Sequence, residues 1–518
     1  MSSSTHAPLL PPGQIDRLRG ALSDYTVDGV YTVLGPVGQA ALTRGDHAGA
    51  RRQLQSPDPL STLIRLFLLG DVVDEAAARR ALHPLEWGEA AAAGIVSDSA
   101  GAARALLDIR PYAEAVPVLP LPGAAPAGEP PWWVVSDFGA DVHPGPLADD
   151  HVLGIGAAAL TLAQATIRQP VGSALDIGTG CGVQALHLSN HATAVTATDI
   201  SARALRLAAT TAELSGVSWE LRRGSLLEPV AGQTFDLIVA NPPFVVSPGL
   251  RAGAGGYDYR DSGFVGDEVC RVLVGGLPAA LAPGGVAQLL ANWIIPTDAP
   301  WTERLESWLA GGGCDAWVWQ REVVDPGEYI ALWLRDAGES PGTDRYVRRY
   351  DEWADWMADA GVAAVGMGLV TLWRTDAAQP TVICEDVPQP LEQPVGAHVA
   401  RWHARRRWLA GISDAALLDS ALRCADGVVL DRQQLRDASG WRTAASTLRQ
   451  AYGLRWEVEV DEAVATLLAG CDGALPLRVP VGLLAASLEA PAADVARALV
   501  PVVRDLVGRG FLEPGGPR

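Results

Sequence analysis

Ala174-Leu-Asp-Ile-Gly-Thr-Gly-Cys-Gly182 is the stretch on which the fold turns. An apolar run interrupted by one acid leads into three glycines at every second position. Glycine has no side chain to block a sharp turn, so the N–H groups of such a segment can face a nucleotide-like ligand where a helix begins. A GxGxG turn alone suits a nicotinamide or flavin site as well as other nucleotide cofactors.

The text on either side alternates in type. Strands are expected at 173–177, 194–198, 218–222, 235–240 and 285–293, with helices at 182–189, 201–214 and 265–281. Upstream, Trp133-Val-Val-Ser reads as a strand and Leu153–Gln164 as a helix. Downstream come a helix at Trp301–Leu309 and a strand at Ala316–Val323 that alternates as an edge strand does. Two helical segments follow around Tyr329–Leu334 and Arg345–Ala360, and Met367–Trp373 reads as the last strand. Strands separated by helices pair in parallel through right-handed crossovers, so the expected class is α/β with a Rossmann-like, mostly parallel sheet.

A second segment carries chemistry: Phe235-Asp-Leu-Ile-Val-Ala-Asn-Pro-Pro-Phe244. An amide or exocyclic aromatic amine is a poor nucleophile because its lone pair is delocalised. The Asn241 carboxamide oxygen and the Pro242 carbonyl can accept both N–H bonds of a target NH₂ group. That orients the nitrogen lone pair and stabilises the positive charge developing on it. Pro242 and Pro243 stiffen the loop without adding N–H donors, and Phe244 offers an apolar face to a planar group.

The two segments together resemble the class I S-adenosylmethionine methyltransferases that alkylate a planar nitrogen. Within that class the chain looks most like the HemK/PrmC-type protein N5-glutamine methyltransferases and their eukaryotic-archaeal relatives, over about residues 131–385. The resemblance implies a seven-stranded sheet whose last strand runs antiparallel, with S-adenosyl-L-methionine as cofactor. It implies as acceptor the glutamine of the GGQ loop in translation termination factors. Similar signatures occur in enzymes acting on adenine N6 or guanine N2 of DNA or RNA. It places the Asp176 carboxylate against the cationic amino group of the methionine moiety, beside the turn Gly178, Gly180 and Gly182. Asp199, about 20 residues past the glycines, stands where an acid takes the ribose hydroxyls, and Ile200 follows it. Ser225 occupies the place where the family often carries an acid for the adenine amino group, so its hydroxyl or the Leu226 N–H is left to read that base. Asn241 closes the cofactor side, and Asn241, Pro242, Pro243 and Phe244 make up the catalytic set.

A chain of 518 residues is too long for one core. Punctuation by Leu119–Pro131 and Gln389–Pro394 divides it into a helical region 1–128, a methyltransferase domain 129–388 and a helical region 389–518. Both ends have a winged-helix-like layout. Helical text is expected at Ile15–Leu22, Pro59–Leu69 and Asp74–Leu82 in the first, and at Ala415–Ala425, Arg442–Ala451 and Glu462–Leu468 in the second. Ala492–Val507 with Gly508–Pro514 reads there as a recognition helix and wing.

The formal charge of −20 disfavours a protein that grips nucleic acid over its whole surface, so a protein acceptor of the release-factor type is favoured over RNA or DNA. All strong cations are arginines, with no lysine. Arg345-Tyr-Val-Arg-Arg-Tyr350 and Arg401-Trp-His-Ala-Arg-Arg-Arg-Trp408 interleave arginine with aromatics, which suits either a solvated helix face or RNA contact. Six scattered cysteines without a CxxC pair imply neither disulfides nor a metal site. His187 and His191 are spaced for a metal but lack a third ligand, and a helix surface or end is expected for them. Tyr257, Tyr259, Arg260 and Asp261 are candidates for a lid. The opening residues lack a signal-peptide pattern, and no apolar run suffices to span a bilayer, so a cytoplasmic protein with no membrane partner is expected. A reading of another class is a DNA-binding regulator that merely senses S-adenosylmethionine; the intact Asn241-Pro-Pro-Phe244 argues against it.

Overall fold

In a computed structural model, residues 6–99, 101–113, 131–143, 145, 147–249, 263–438 and 440–515 are described. They form two compact units, one of residues up to 163 with 168–388, the other of 164–167 with 389–518. Most of the Leu119–Pro131 punctuation and all four lid candidates lie outside the described residues.

The first unit is built on one large sheet. Its strands are β1 (Val171–Ile177), β2 (Ala192–Asp199), β3 (Glu220–Arg223), β4 (Phe235–Ala240), β5 (Leu281–Pro296), β6 (Cys314–Val324), β7 (Val362–Arg374) and β8 (Val382–Asp386). They lie in the order β8–β6–β7–β5–β4–β1–β2–β3. β7 runs antiparallel to both neighbours, and every other pair is parallel. Helices α1 (Val183–Ser189), α2 (Ala202–Ser215), α3 (Glu268–Ala280) and α4 (Trp301–Leu309) make the crossovers, while α5 (Pro326–Asp336) and α6 (Asp344–Asp359) are inserted between β6 and β7. Cover on both faces explains why Leu237–Ala240 of β4 reads as an apolar run instead of alternating. Local signals set the ends of the helices. Ser201 caps α2, its hydroxyl accepting the Ala204 N–H, and Gly216 stops it at φ 70°.

The sheet has eight strands, not seven. β8 pairs parallel to β6, so Ala316–Val323 is not at the edge. The alternation that suggested an edge is Trp with Ala or Val, apolar on both faces, and residues 316–320 are all buried. Trp317 and Trp319 meet edge to face at 4.8 Å, and the Trp317 indole donates to Glu385 of β8.

The helical text before residue 113 shares a core with α1 and α2, the helices that flank β1 and β2. Leu9 N–H donates to Thr210 of α2, and the Arg19 guanidinium donates to the Glu213 and Leu214 carbonyls at the C-terminal end of α2, where a cation suits the helix dipole. Trp133 donates from its indole to the Tyr25 carbonyl at 2.8 Å. Helix, strand Val73–Asp74, helices Glu75–Leu82 and Trp87–Ala92, then strands Val96–Ser99 and Ala102–Ala105 follow the winged-helix order, with the last strand in the middle of the sheet.

In the second unit, helices Glu462–Ala469, Arg478–Ser487 and Ala492–Arg509 accompany a sheet in which Ala421–Cys424 lies between Asp472–Pro476 and Leu512–Pro514. The expected wing is therefore an edge strand. It pairs with Ala421–Cys424, so the central strand of this sheet comes from upstream in the chain and not, as in the first region, from the end. Two expected helices are corrected. Ala415–Ala425 divides into the helix Asp414–Asp419 and that strand, and Arg442–Ala451 lies largely in the strand Gly440–Gln450. Its Ala, Leu, Arg and Gln are good helix formers, but a long hairpin with Val428–Asp437 and pairing to Glu457–Val460 override that weak preference. Ser446 and Leu448 are buried at a period of two, as a strand requires.

All six cysteines are free. Among the described residues, no helix is long and apolar enough to cross a membrane.

Candidate active site

Where the strand order reverses, between β1 and β4, the carboxyl ends of parallel strands open a crevice. Every residue expected to hold the cofactor or acceptor falls at this end of β1, β2, β3 or β4. Gly178, Gly180 and Gly182 all have positive φ, at 71°, 56° and 93°. The N–H groups of Gly178 and Thr179 are both donated to the Thr198 carbonyl of β2, which folds the turn against the neighbouring strand. At Gly182 the lack of a side chain is also a packing need, because a Cβ would come within 2.6 Å of the Trp219 ring.

Asp176 is fully buried. Its Oδ2 accepts from the Thr179 hydroxyl at 2.6 Å and from the Ala185 N–H at 3.2 Å, while Oδ1 is buried without a hydrogen-bond partner. Burial pushes its pKa up to about 7, opposed by those two bonds and reinforced by the nearby Asp199. An orphaned acceptor beside a glycine turn fits a cationic donor, which would draw that carboxyl back toward its charged form.

Asp199 is half-buried at the tip of β2. Its Oδ2 accepts the Gly180 N–H at 2.9 Å and its Oδ1 the Ser201 N–H at 2.8 Å. Both carboxylate oxygens thus accept a backbone N–H, one from the glycine turn and one from the start of α2. Ile200, next in the chain, is 58 % exposed, an apolar side chain on the surface at the mouth of the crevice. The Gly224 N–H donates to the Asp199 carbonyl, which brings Ser225 and Leu226 to the same edge. Leu226 holds φ 46°, a left-handed conformation costly for a side chain with Cβ.

The loop after β4 completes the crevice. The Asn241 carbonyl lies 3.8 Å from where a Gly178 Cβ would stand, so the loop after β4 and the glycine turn are in contact range. The Asn241 Oδ1 is buried and has no hydrogen-bond partner. Pro242 is buried, Pro243 half-buried, and Phe244 meets Trp333 of α5 edge to face at 6.0 Å. The Val246 N–H donates to the Tyr329 hydroxyl at 2.9 Å. Beyond it, Asp267 is buried and accepts the Ile294 N–H of β5 and two Arg304 donors, pinning the start of α3 to β5 and α4. Tyr329, Trp333, Asn292 and Asp267 were not singled out from the sequence. The available signal was the polar Asn292 inside the otherwise apolar Leu289–Ile295 run.

The histidines correct an expectation. His187 and His191 are buried, not on a helix surface. Arg168 donates to His187 Nδ1 at 3.2 Å, so the neutral ring carries its proton on Nε2, 2.7 Å from the Tyr112 hydroxyl. Burial, reinforced by Arg168, pushes His187 down to about 3 and His191 down to about 4, which keeps both neutral. The pattern failed because α1 is covered on every side, so helical spacing marked no exposed face.

Residues 152–253, which hold the whole crevice, match the family described as methyltransferase small domain. Residues 22–106 and 400–514 match two families each described as a domain of unknown function, DUF7059 and DUF7782. The chain is 40% identical over 157 residues to the release factor glutamine methyltransferase of Deinococcus radiodurans, covering 29% of this chain and 52% of that protein. It is 39% identical over 126 residues to that of Xylella fastidiosa, covering 23% and 46%. It is 30% identical over 125 residues to the ribosomal RNA small subunit methyltransferase C of Alcanivorax borkumensis, covering 24% and 34%. The chain thus spans about half the length of the curated relatives it first matches. Among solved structures, a methyltransferase from Pyrococcus furiosus is 17% identical, covering 46% of this chain and 92% of that one at a TM-score of 0.26, too low to carry an argument. Taken with the strand order and the glycine turn, the family match and the curated relatives make the sheet domain similar to the class I S-adenosylmethionine-dependent methyltransferases, those of the HemK/PrmC type among them.

Proposed function

We propose that this chain transfers a methyl group from S-adenosylmethionine to a planar NH₂ nitrogen, and that the acceptor is a glutamine side chain of a release-factor-like protein. One observation carries the reading: the Asn241 carboxamide oxygen is buried without a partner, next to the glycine turn. A buried acceptor with nothing to accept from is costly unless a ligand supplies the donor.

When bound, the cofactor supplies a methyl group made electrophilic by a sulfonium. The residues that would hold it are Gly178, Gly180 and Gly182 by backbone approach, Asp176 at the amino group, Asp199 at the ribose, and Ile200, Ser225 and Leu226 around the base. Asn241 Oδ1 and the Pro242 carbonyl take the two N–H bonds of the acceptor amide. As the nitrogen becomes positive those two bonds strengthen, so they stabilise the transition state more than the ground state. Phe244 packs on the amide plane and helps exclude water.

The same clamp fits the exocyclic amine of a nucleobase, and the likeness to a ribosomal RNA enzyme makes RNA the second reading. The charge of −20 favours protein. The test is transfer of radiolabelled methyl to a purified, unmethylated peptide release factor and to total cell extract, followed by protease or nuclease digestion. Label on the release factor that vanishes when its GGQ glutamine is replaced supports the proposal. Label removed by nuclease overturns the protein acceptor, and no label anywhere favours a cofactor-sensing regulator.

A further inference from the structure

The loop that carries the clamp is held from outside the usual sheet by one buried hydroxyl. Tyr329, on the inserted helix α5, is fully buried, and its oxygen accepts two hydrogen bonds, from Val246 N–H and from Asn292 Nδ2, each at 2.9 Å. Asn292 stands on β5, three residues beyond Leu289, which pairs with Ala240 at the end of β4. The hydroxyl therefore ties three elements together: the loop after β4, the neighbouring strand β5 and the insertion.

Core packing alone does not call for an oxygen there. Phenylalanine would fill the same space among Val245, Val246, Ile294, Ile330 and Leu334. A loop has no ladder to hold it, and loops are ordinarily the mobile part of a fold. Between Asn241 and Val246 lie two prolines and Phe244, which rests on Trp333, so little freedom separates the anchored N–H from the clamp carboxamide. Fixing Val246 thus fixes Asn241.

We infer that Tyr329, with Asn292, is a positioning residue that sets the Asn241-Pro-Pro-Phe244 clamp in register, and that helix α5 is part of the acceptor site. The inference rests on the clamp reading given above. It differs from a structural role in what it predicts: the loss falls on turnover and spares cofactor binding, because the glycine turn has no contact with this hydroxyl.

The experiment compares full-length Tyr329→Phe and Asn292→Ala with the parent chain by three measurements. These are calorimetric affinity for S-adenosylmethionine, amide hydrogen exchange over 244–247, and turnover of radiolabelled methyl into total cell extract and into purified release factor. Expected are an affinity within about two-fold, exchange faster by about ten-fold and kcat lower by about ten- to a hundred-fold, since small displacements of a positioned group cost that much. Unchanged exchange overturns the latch. Faster exchange with unchanged kcat overturns its positioning role, and affinity and kcat falling together make the hydroxyl a plain core support. Label in extract but not in release factor removes the acceptor reading while the kcat comparison still judges the latch. No label from the parent chain removes both.

Discussion

The Gly180 N–H and the Asp199 carboxylate meet at 2.9 Å, so the ribose-binding candidate also shapes the glycine turn. Its other oxygen takes the Ser201 N–H at the start of α2, so the carboxylate ties the turn to that helix.

Asp199→Ala removes a charged acceptor from both the turn and the ribose. Affinity for S-adenosylmethionine should fall by about ten-fold or more, the range of one hydrogen bond to a charged group. Calorimetry reads it directly, and an unaltered affinity would leave Asp199 with a purely local structural role.

Asn241→Ala should separate binding from chemistry. Turnover is expected to drop by about a hundred-fold or more, as when one donor or acceptor of a developing charge is removed, with cofactor affinity nearly unchanged. Equal loss of both would mean that the carboxamide serves the cofactor and not the acceptor.

Asp176 makes cofactor binding depend on pH. With its pKa near 7 in the free protein and a cationic amino group favouring the carboxylate, affinity should rise by about ten-fold from about pH 6 to about pH 8 and level off above. Asp176→Asn should flatten the profile. The same shift acts on stability with the opposite trend. Between the ordinary 3.8 and about 7 the folded chain keeps a proton the unfolded chain has lost, so this group's contribution declines as pH climbs through that window. A binding profile flat across the range in the unaltered chain would count against the amino-group contact.

Gly182→Ala tests the turn as packing. The new Cβ meets the Trp219 ring at 2.6 Å and must also adopt φ 93°. A loss of about 1–3 kcal/mol is expected from overpacking alone, visible as a lower denaturant midpoint. An unshifted midpoint would show that the ring yields freely.

Much of the catalytic sheet was legible because its strands and helices alternate and carry their own stops, such as Ser201 and Gly216 around α2. The glycine turn and the loop after β4 were legible because glycine at every second position and Asn-Pro-Pro each mark where a strand must stop. What stayed hidden depended on contacts distant in sequence. Tyr329 looks like any core aromatic on a helix until Val246 and Asn292 arrive from elsewhere. The strand Gly440–Gln450 has helix-forming composition, and only its hairpin partner decides otherwise. His187 and His191 sit at helical spacing, which says nothing of a helix enclosed on all sides.

The upstream origin of the strand Ala421–Cys424 governs where this protein can be cut. Any fragment beginning after Cys424 leaves Asp472–Pro476 and Leu512–Pro514 without the strand that joins them, presenting two bare rows of backbone donors and acceptors. Such rows recruit strands from other molecules. Residues 425–518 would therefore self-associate if severed there, whereas a boundary ahead of the helix Gly396–Gly411 keeps the seam closed.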